Sequence, residues 1–419
     1  MQSVTRQRPH TNPLACPWRA DFPALDQTVN GLPLAYLDSA ATTQRPTPVL
    51  AALQHYYRHD NANPGGALHT LARRAYERYE GARRVLAEFI HAPAHDEVVW
   101  VRGTTEGINL VATAWARPRL RSGDEILLTV AEHASNLLPW RLVAEQTGAV
   151  IRHADVDDEG CVCLEDFERQ LSTRTRLVSF SHVSNVAGYI NPAAEICSLA
   201  HGAGARVLID AAQSAPHVPL DVQALGCDFL VLSGHKMLGP MGAGVLWGRR
   251  ERLEEMAPYQ AGSNMAHAVD FVSEEFERAA RKFGAGTPNV SGAIGLAAAV
   301  EYLSRQDRGA LERHEAHLTA HGLERLSRIK GLRLVGPRSP QRRLPVFSFA
   351  IAGRTPGEIL THLDSRGIAV RAGDLAALPL LKRLGVTEAV RASCYIYTET
   401  SELDRLADAL DLASHETRA

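Results

Sequence analysis

The sequence has no long hydrophobic run, little net charge and no paired-cysteine motif. None of its apolar stretches approaches the roughly 18–20 residues of a membrane span. Residues 1–20 are polar and interrupted by proline, without the apolar centre of a signal peptide. The formal net charge of the 419 residues is −2, which provides no electrostatic footprint for nucleic acid. These absences predict a cytoplasmic protein that binds neither membranes nor nucleic acids.

The six cysteines are scattered along the chain and form no CxxC pair. They are Cys16, Cys161, Cys163, Cys197, Cys227 and Cys394. We therefore predict reduced thiols rather than disulfides, and no metal site.

Short apolar runs alternate with helical patterns from about residue 75 to residue 250. Strands are predicted at 98–101, 126–130, 177–180, 207–209 and 229–232, and helices at 105–116 and 136–147. This alternation predicts an α/β fold with a mostly parallel sheet covered on both faces. Ligands of such sheets bind at the carboxyl ends of the strands.

The pattern changes near residue 300. Helices are predicted over 290–302, 311–329 and 355–367, and strands over 346–352, 368–371 and around 391–397. Ser401 and Asp404 suggest a capping box for a last helix. The hydrophobic content of 45% is enough for one large domain and a smaller one. We predict an N-terminal arm (1–32) packing on the small domain, a large domain (33–299) and a smaller α+β domain (300–419).

Lys236 follows the apolar run 229–232 directly, within Ser233-Gly234-His235-Lys236. Burial lowers the pKa of an amine and makes it nucleophilic. A lone lysine is ordinarily a surface charge, but this position suits one that holds an aldehyde cofactor as a Schiff base.

Other polar residues fall at the same predicted sheet edge. Asp210 ends the run 205–209 and can pair with a pyridinium nitrogen, or else cap a helix. Gln213 can reach the phenolic oxygen of the same ring. His133 follows the strand 126–130 and can stack on the ring, or else be structural. Together with Lys236, these residues predict a pyridoxal phosphate (PLP) site.

A phosphate cup is predicted at Thr104 and Thr105, which open the helix after the strand 98–101. The same hydroxyls can also serve as ordinary helix caps. Ser233 and His235 add phosphate donors from the lysine loop.

Several motifs resemble the class V aminotransferase family, and most closely its group II cysteine desulfurase/selenocysteine lyase branch. They are Tyr36-Leu37-Asp38-Ser39-Ala40-Ala41, 101–110, Ser181-His182-Val183-Ser184-Asn185, 210–213, 233–240 and Gly286-Thr287-Pro288-Asn289. The resemblance covers nearly the whole chain after about residue 20. It implies a fold-type I PLP enzyme that is a homodimer with active sites at the subunit interface.

The resemblance also implies a role for individual residues. Lys236, which would carry PLP, and His133, stacked on its ring, would be the catalytic residues. Arg391 would take the substrate α-carboxylate in its guanidinium fork, and Asn185 would lie near both the cofactor O3′ and the substrate. The cofactor-binding residues would be Lys236, Asp210, Gln213, His133, Thr104, Thr105, Ser233, His235, Asn185 and, from the neighbouring subunit, Thr287.

The chain departs from this branch where the nucleophilic cysteine should stand. The branch reads Arg-x-Gly-His-His-Cys-Ala-x-Pro-Leu, and residues 371–380 read Arg-Ala-Gly-Asp-Leu-Ala-Ala-Leu-Pro-Leu. Ala376 thus replaces the cysteine, and Asp374 and Leu375 replace the two histidines. An alanine methyl cannot be a nucleophile. Cys394 is the candidate substitute, although a free cysteine is usually a small buried hydrophobe.

Two further departures concern the mouth of the site. Gly65-Gly66 stands where the branch has a His-Arg pair, and Gly284 stands where the family often has Glu. These changes predict retained PLP chemistry on a changed substrate.

The predicted function is a PLP-dependent lyase that cleaves a Cβ–S, Cβ–Se or related bond of an amino acid without a persulfide cysteine. One alternative is a class V aminotransferase, racemase or side-chain lyase acting on a specialised amino acid. A second is a cysteine desulfurase that uses another cysteine, and a third is a scaffold that pairs with sulfur-transfer proteins. A sulfur-acceptor protein is not itself indicated by the sequence.

Overall fold

The computed structural model describes residues 16–65 and 69–415. Its larger part is built on a seven-stranded sheet. The strands are β1 (Val98–Val101), β2 (Glu125–Thr129), β3 (Val150–Ala154), β4 (Thr175–Ser181), β5 (Arg206–Asp210), β6 (Phe229–Ser233) and β7 (Gly244–Gly248). Their spatial order is β1-β7-β6-β5-β4-β2-β3. Only β7 runs antiparallel to its neighbours, so the predicted mostly parallel sheet is confirmed.

The sheet is buried on both faces because its strands are almost continuously apolar. Along β6, Leu230 and Leu232 belong to one apolar cluster, whereas Phe229 and Val231 belong to another. This alternation follows from the two-residue period of a strand. The helices of this part are Thr47–His55, Thr70–Phe89, Thr104–Leu110, Leu138–Thr147, Leu164–Gln170, Ala193–Gly202, Val222–Leu225, Arg250–Glu255 and Val290–Ser304. No helix within the described ranges is both long and apolar enough to cross a bilayer.

The C-terminal part is a four-stranded antiparallel sheet with helices. Its strands are β8 (Leu332–Val335), β9 (Val346–Ile351), β10 (Arg371–Gly373) and β11 (Ala389–Ser393), in the order β8-β9-β11-β10. Its helices are Arg308–Ser327, Pro356–Asp364, Leu378–Arg383 and Thr400–His415. Thr355 and Glu358 form a reciprocal capping box at the start of Pro356–Asp364.

Two expectations about this part are wrong. The last helix begins at Thr400, so Ser401 lies inside its first turn and cannot cap it. Asp404 instead pairs with His321 and Arg325 of the facing helix. The strand expected around 391–397 ends at Ser393, because the chain then turns with a hydrogen bond from Thr398 N–H to the Tyr395 carbonyl.

The N-terminal segment contacts the C-terminal part. Arg19 pairs with Glu402 at 3.0 Å, and the Cys16 thiol donates to the Ile396 carbonyl. The short strand Ala35–Tyr36 runs parallel to Ile368–Ala369. Residues 1–15 of the predicted arm lie outside the described residues. The division at 32/33 and 299/300 stays a prediction.

Candidate active site

The carboxyl ends of the parallel strands open into a cavity of about 450 Å³. The sequence-predicted residues that line it are Thr104, Thr105, His133, Asn185, Asp210, Gln213, Ser233, His235, Lys236 and Arg391. Nine of them lie at the carboxyl ends of five strands of the large sheet or in the segments that follow these ends, and Arg391 comes from β11 of the other sheet. Parallel strands place these ends at one edge of the sheet, which is why the residues meet.

Lys236 lies half-buried at the end of a short turn after β6. Burial is the main cause that lowers the pKa of its amine to about 8, and Arg391 and Arg371 add to this, whereas Asp210 opposes it. Gly234 lets the turn approach the adjacent backbone, because a Cβ there would lie 2.7 Å from the Ala243 carbonyl oxygen. The amine is therefore partly neutral at neutral pH.

Asp210 is the last residue of β5 and is buried. Its Oδ1 accepts the Ala212 N–H at 2.9 Å, and its Oδ2 has no hydrogen bond to any residue that the structure describes. Burial raises the pKa of this carboxyl group. Gln213 donates from Nε2 to the Ala40 carbonyl at 2.8 Å.

His133 is neutral in this environment. Its Nδ1 accepts the Ser135 N–H at 3.1 Å, so the ring proton of the neutral form is on Nε2. Burial, and then the charges of Lys236 and Arg391, lower the pKa of the imidazole to about 4. The ring can therefore contact a flat ligand without adding charge.

The adjacent Glu132 was not predicted from the sequence. It is fully buried and accepts hydrogen bonds from the Thr129 and Ser181 hydroxyls and the Asn136 amide at 2.6–2.7 Å. Burial raises its pKa to about 7. The network anchors the loop that carries His133. The signal available in the sequence was only that an acidic residue stands directly before a predicted site residue.

Two groups of hydroxyls line the cavity. The Ser233 hydroxyl accepts the Thr104 N–H at 2.8 Å and donates to the Thr104 hydroxyl at 2.9 Å, so Ser233 has used its proton and the Thr104 hydroxyl keeps its own. The Thr105 and Ser135 hydroxyls are 2.9 Å apart. Thr105 is the donor in the second pair, so Thr104, Ser135 and His235 are the side chains of these groups that keep a proton to donate to an anion.

Arg391, on β11, is buried, and its guanidinium contacts two acceptors. Its Nη1 donates to the Asn185 carbonyl at 3.1 Å, and its Nη2 lies 3.4 Å from Asp38 Oδ1. Its Nε is buried without a hydrogen-bond partner among the described residues. Burial lowers the pKa of the guanidinium to about 10, so it remains charged.

Asp38 also forms an ion pair with a second guanidinium group. Arg371 Nη2 lies 2.9 Å from Asp38 Oδ2, and Arg371 lines the cavity beside Arg391. Neither Asp38 nor Arg371 was predicted as a site residue. The available signal was that both stand inside motifs that resemble the family.

The turn at 374–377 is hydrogen-bonded to the loop that carries His133. Ala377 N–H donates to the Asp374 carbonyl at 3.0 Å, and the two central residues, Leu375 and Ala376, have φ of 51° and 53°. Ala134 N–H donates to the Ala376 carbonyl at 2.7 Å, and Ala376 lines the cavity. A non-glycine pair with positive φ is uncommon and is held by its surroundings.

None of the six cysteines lines this cavity. The Cys394 thiol is 1% exposed, packs in the apolar core of the C-terminal part, and has a pKa raised well above its ordinary value by burial. It is an inert core thiol by position and by acidity.

Thr287 lies outside the Lys236 cavity. Its hydroxyl accepts from Asn63 Nδ2 at 3.1 Å and lines a second cavity of about 560 Å³, as do Gly65 and Gly284. A Cβ at Gly65 would lie 2.7 Å from Asn264 Oδ1, so a larger residue there would require the exposed Asn264 side chain to move. Gly66 falls outside the described residues.

The chemistry of the Lys236 cavity suits PLP. It combines an amine of lowered pKa, a buried carboxylate with a spare oxygen, a neutral imidazole and a group of hydroxyls. The buried Asp210 carboxylate can compensate a pyridinium nitrogen, and the hydroxyls can accept a phosphate.

Comparison with known proteins agrees with this chemistry. The Aminotransferase class-V model matches residues 35–406. The chain is 46% identical over 390 residues to a probable cysteine desulfurase of Halalkalibacterium halodurans, covering 93% of this chain and 95% of that protein.

Two solved structures are also similar. The cysteine desulfurase CsdA of Escherichia coli is 40% identical with a TM-score of 0.86, and the match covers 94% of this chain and 97% of that one. The apo cysteine desulfurase of Thermococcus onnurineus NA1 is 35% identical with a TM-score of 0.89, over 95% and 97% of the two chains. The chain therefore belongs to the aminotransferase class-V family and is a PLP-dependent, cysteine desulfurase-like enzyme.

Proposed function

We propose that this enzyme is a lyase that cleaves a Cβ–S, Cβ–Se or related bond of an amino acid without an enzyme persulfide. The observation that carries the proposal is Ala376, which lines the same cavity as Lys236 at the position of the expected cysteine. A methyl group cannot attack sulfur. The burial and raised pKa of Cys394 support the same conclusion, because only a thiolate is an effective nucleophile.

Without an attacking thiol, the β-substituent has to leave without covalent help from a side chain of the enzyme. Bound PLP supplies an electron sink for the pair left on the substrate Cα. Lys236, with a pKa of about 8, is placed to take the Cα proton and return it. A selenide or the thiolate of a C–S conjugate then leaves with the electron pair of its bond to Cβ, and the remaining skeleton is hydrolysed to pyruvate and ammonia. A sulfinate leaves as SO2 instead, so that the bond pair stays on Cβ, takes a proton and gives alanine.

Arg391 is proposed to bind the substrate α-carboxylate. Its buried Nε lacks a partner among the described residues, which is a donor that a carboxylate can satisfy. The Asn185 carbonyl and Asp38 hold the other nitrogens. The proposed cofactor roles of Asp210, Gln213 and His133 rest on the hydrogen bonds and burial described above.

The homodimer is part of the proposal. Thr287 lines a cavity separate from that of Lys236, which fits a residue that serves the site of a second copy. The hairpin formed by Ala266–Val269 and Glu274–Phe276 carries exposed Val269, Phe271 and Val272, and such an apolar patch favours burial against another chain. The cytoplasmic location of the enzyme stays a prediction.

Product analysis tests the function. The PLP-loaded enzyme is incubated with L-cysteine, L-cysteine sulfinate and S-substituted cysteines, with and without a reductant, and the protein is examined for persulfide by mass spectrometry. We expect pyruvate and ammonia from S-substituted cysteines, or alanine from the sulfinate, with no reductant dependence and no persulfide.

Three variants serve as controls. Lys236→Ala should lose turnover, Cys394→Ala should keep the product profile, and Ala376→Cys should acquire a persulfide with L-cysteine. A persulfide on any cysteine of the unmodified chain contradicts the proposal. Formation of an α-keto acid or solvent deuterium exchange without β-elimination indicates the transaminase or racemase alternative.

A further inference from the structure

Besides the buried Glu132 behind His133, three carboxylates lie in or next to the Lys236 cavity, and two of them face cations. Asp38 lies within 3.4 Å of both Arg371 and Arg391, and the charge of Asp210 acts on Lys236. Asp374 lines the cavity as well, yet no cationic side chain within the described residues lies within 4.0 Å of its carboxylate. Asp374 is an exposed residue, and it is the one of these three carboxylates that faces no cationic side chain of the described residues.

The Asp374 carboxylate is held in a fixed direction. Its Oδ1 accepts the Ala376 N–H at 3.0 Å, and its Oδ2 has no hydrogen bond to a described residue. The Asn185 amide donates to the Leu375 carbonyl at 2.9 Å, and Ala134 N–H donates to the Ala376 carbonyl at 2.7 Å. The turn is thus tied to two neighbouring loops, which reduces the entropy cost of using its free oxygen in binding.

The cavity offers space beside this carboxylate. Ala376 contributes only a methyl group, and Ala372 next to it on β10 is equally small. The charge of Asp374 also reaches the His133 ring, where it acts against the lowering of the imidazole pKa. A substrate side chain that extends past His133 toward the turn therefore meets a carboxylate at its end.

We infer that the substrate is an amino acid whose β-substituent carries a positively charged group, and that Asp374 binds this group. The inference rests on the proposed function, since it assigns the substrate class of the same cavity. A carboxylate that is held by one backbone N–H and faces no cation discriminates by charge, because it attracts a cation and repels an anionic side chain. Asp374 acts here on specificity and takes no part in the proton transfers.

Two probes that differ only in the terminal group test the inference. S-(2-aminoethyl)-L-cysteine ends in an ammonium group, and S-propyl-L-cysteine ends in a methyl group in its place. Their dissociation constants are measured at neutral pH from the absorbance change of the PLP-loaded full chain. We expect the aminoethyl probe to bind about tenfold more tightly, the difference that one well-placed charge pair of about 1.4 kcal/mol produces.

Asp374→Asn should abolish this preference without unfolding the turn, because the amide oxygen can still accept the Ala376 N–H. Asp158→Asn, an exposed change outside the cavity, should keep the preference. Melting temperatures show whether each variant is folded. Equal binding of both probes to the unmodified enzyme, or a preference that survives in Asp374→Asn, overturns the inference.

Failure of the inference and failure of the proposed function give different results. If S-propyl-L-cysteine binds and yields pyruvate but the aminoethyl probe has no advantage, only the assignment of Asp374 is wrong. If neither probe changes the absorbance and neither yields a β-elimination product, both proposals are overturned.

Discussion

Lys236 experiences opposing effects on its pKa. Burial lowers it, with help from Arg391 and Arg371, and the nearby carboxylate of Asp210 raises it, so that it settles at about 8. A free lysine side chain loses its proton only near pH 10.4. The structure thus supplies a nucleophilic amine within the physiological range.

The pH dependence of PLP capture tests this environment. Because the neutral amine is the reactive form, the rate at which the apo-enzyme binds PLP should rise with pH through a midpoint near 8. Asp210→Asn removes the charge that raises the pKa and should move the midpoint lower. Stopped-flow absorbance provides the rates, and Asp158→Asn is the control. A midpoint near 10 would show that the amine is not perturbed.

Asp38 is buried between two guanidiniums, and its removal leaves Arg391 buried without its carboxylate. Breaking a buried pair in this way costs about 3–5 kcal/mol. We expect Asp38→Asn to lower the free energy of unfolding by about 3 kcal/mol, the lower end of this range, because Arg371 is half exposed to water.

Chemical denaturation measures this change in the free energy of unfolding. Asp408→Asn, which removes the exposed partner of Arg325, should cost less than about 1 kcal/mol. Comparable losses in the two variants would mean that the Asp38 pairs contribute little.

At the scale of elements, the turn at 374–377 has a backbone conformation that its own residues do not favour. Leu375 and Ala376 occupy left-handed backbone positions that normally favour Gly, Asn or Asp. The turn is maintained by its hydrogen bonds to Ala134 and Asn185 rather than by local preference. Backbone strain of this kind commonly occurs where a loop serves a site.

Ala376→Gly should therefore stabilise the protein by up to about 1 kcal/mol, since glycine adopts positive φ without steric cost. The same change at Ala298, inside the helix Val290–Ser304, should destabilise it by about 1 kcal/mol. Urea unfolding of the two variants gives the comparison. A loss of stability at position 376 equal to that at 298 would argue against the left-handed turn.

The elements themselves were largely predictable. All five strands expected between residues 98 and 232 exist, because their apolar runs are flanked by polar or glycine-rich turns. The errors lie at element ends, as at Ser401 and in the strand expected around 391–397, which ends at Ser393. Such ends depend on which partner satisfies the last backbone groups, and local sequence does not specify that partner.

At the scale of the whole molecule, the question is whether Thr287 serves the cavity of a second copy. Mixing Lys236→Ala chains with Thr287→Ala chains tests this. A mixed dimer has one site that combines an intact Lys236 with an intact Thr287 from the other subunit. Because exchange between equal amounts of the two chains makes about half of the dimers mixed, activity should recover toward about a quarter of the unmodified level.

No recovery, with exchange verified by differential tagging and mass spectrometry, would mean that Thr287 acts within its own chain or not at all. Neither homodimer of the variants should show the recovered activity, which is the internal control.

The sequence by itself determined the alternating α/β order, the family and the identity of the polar residues at the strand ends, because these follow from local periodicity and from contiguous motifs. Only the tertiary structure decided which side chains share one cavity. It brought Asp38 against Arg371 and Arg391, separated by more than 300 residues, and placed Asp374 beside the site without a cationic partner among the described residues. It also placed Cys394 in the core and Thr287 in another cavity. Charge compensation and burial depend on distances between elements far apart in the chain, and no local pattern encodes them.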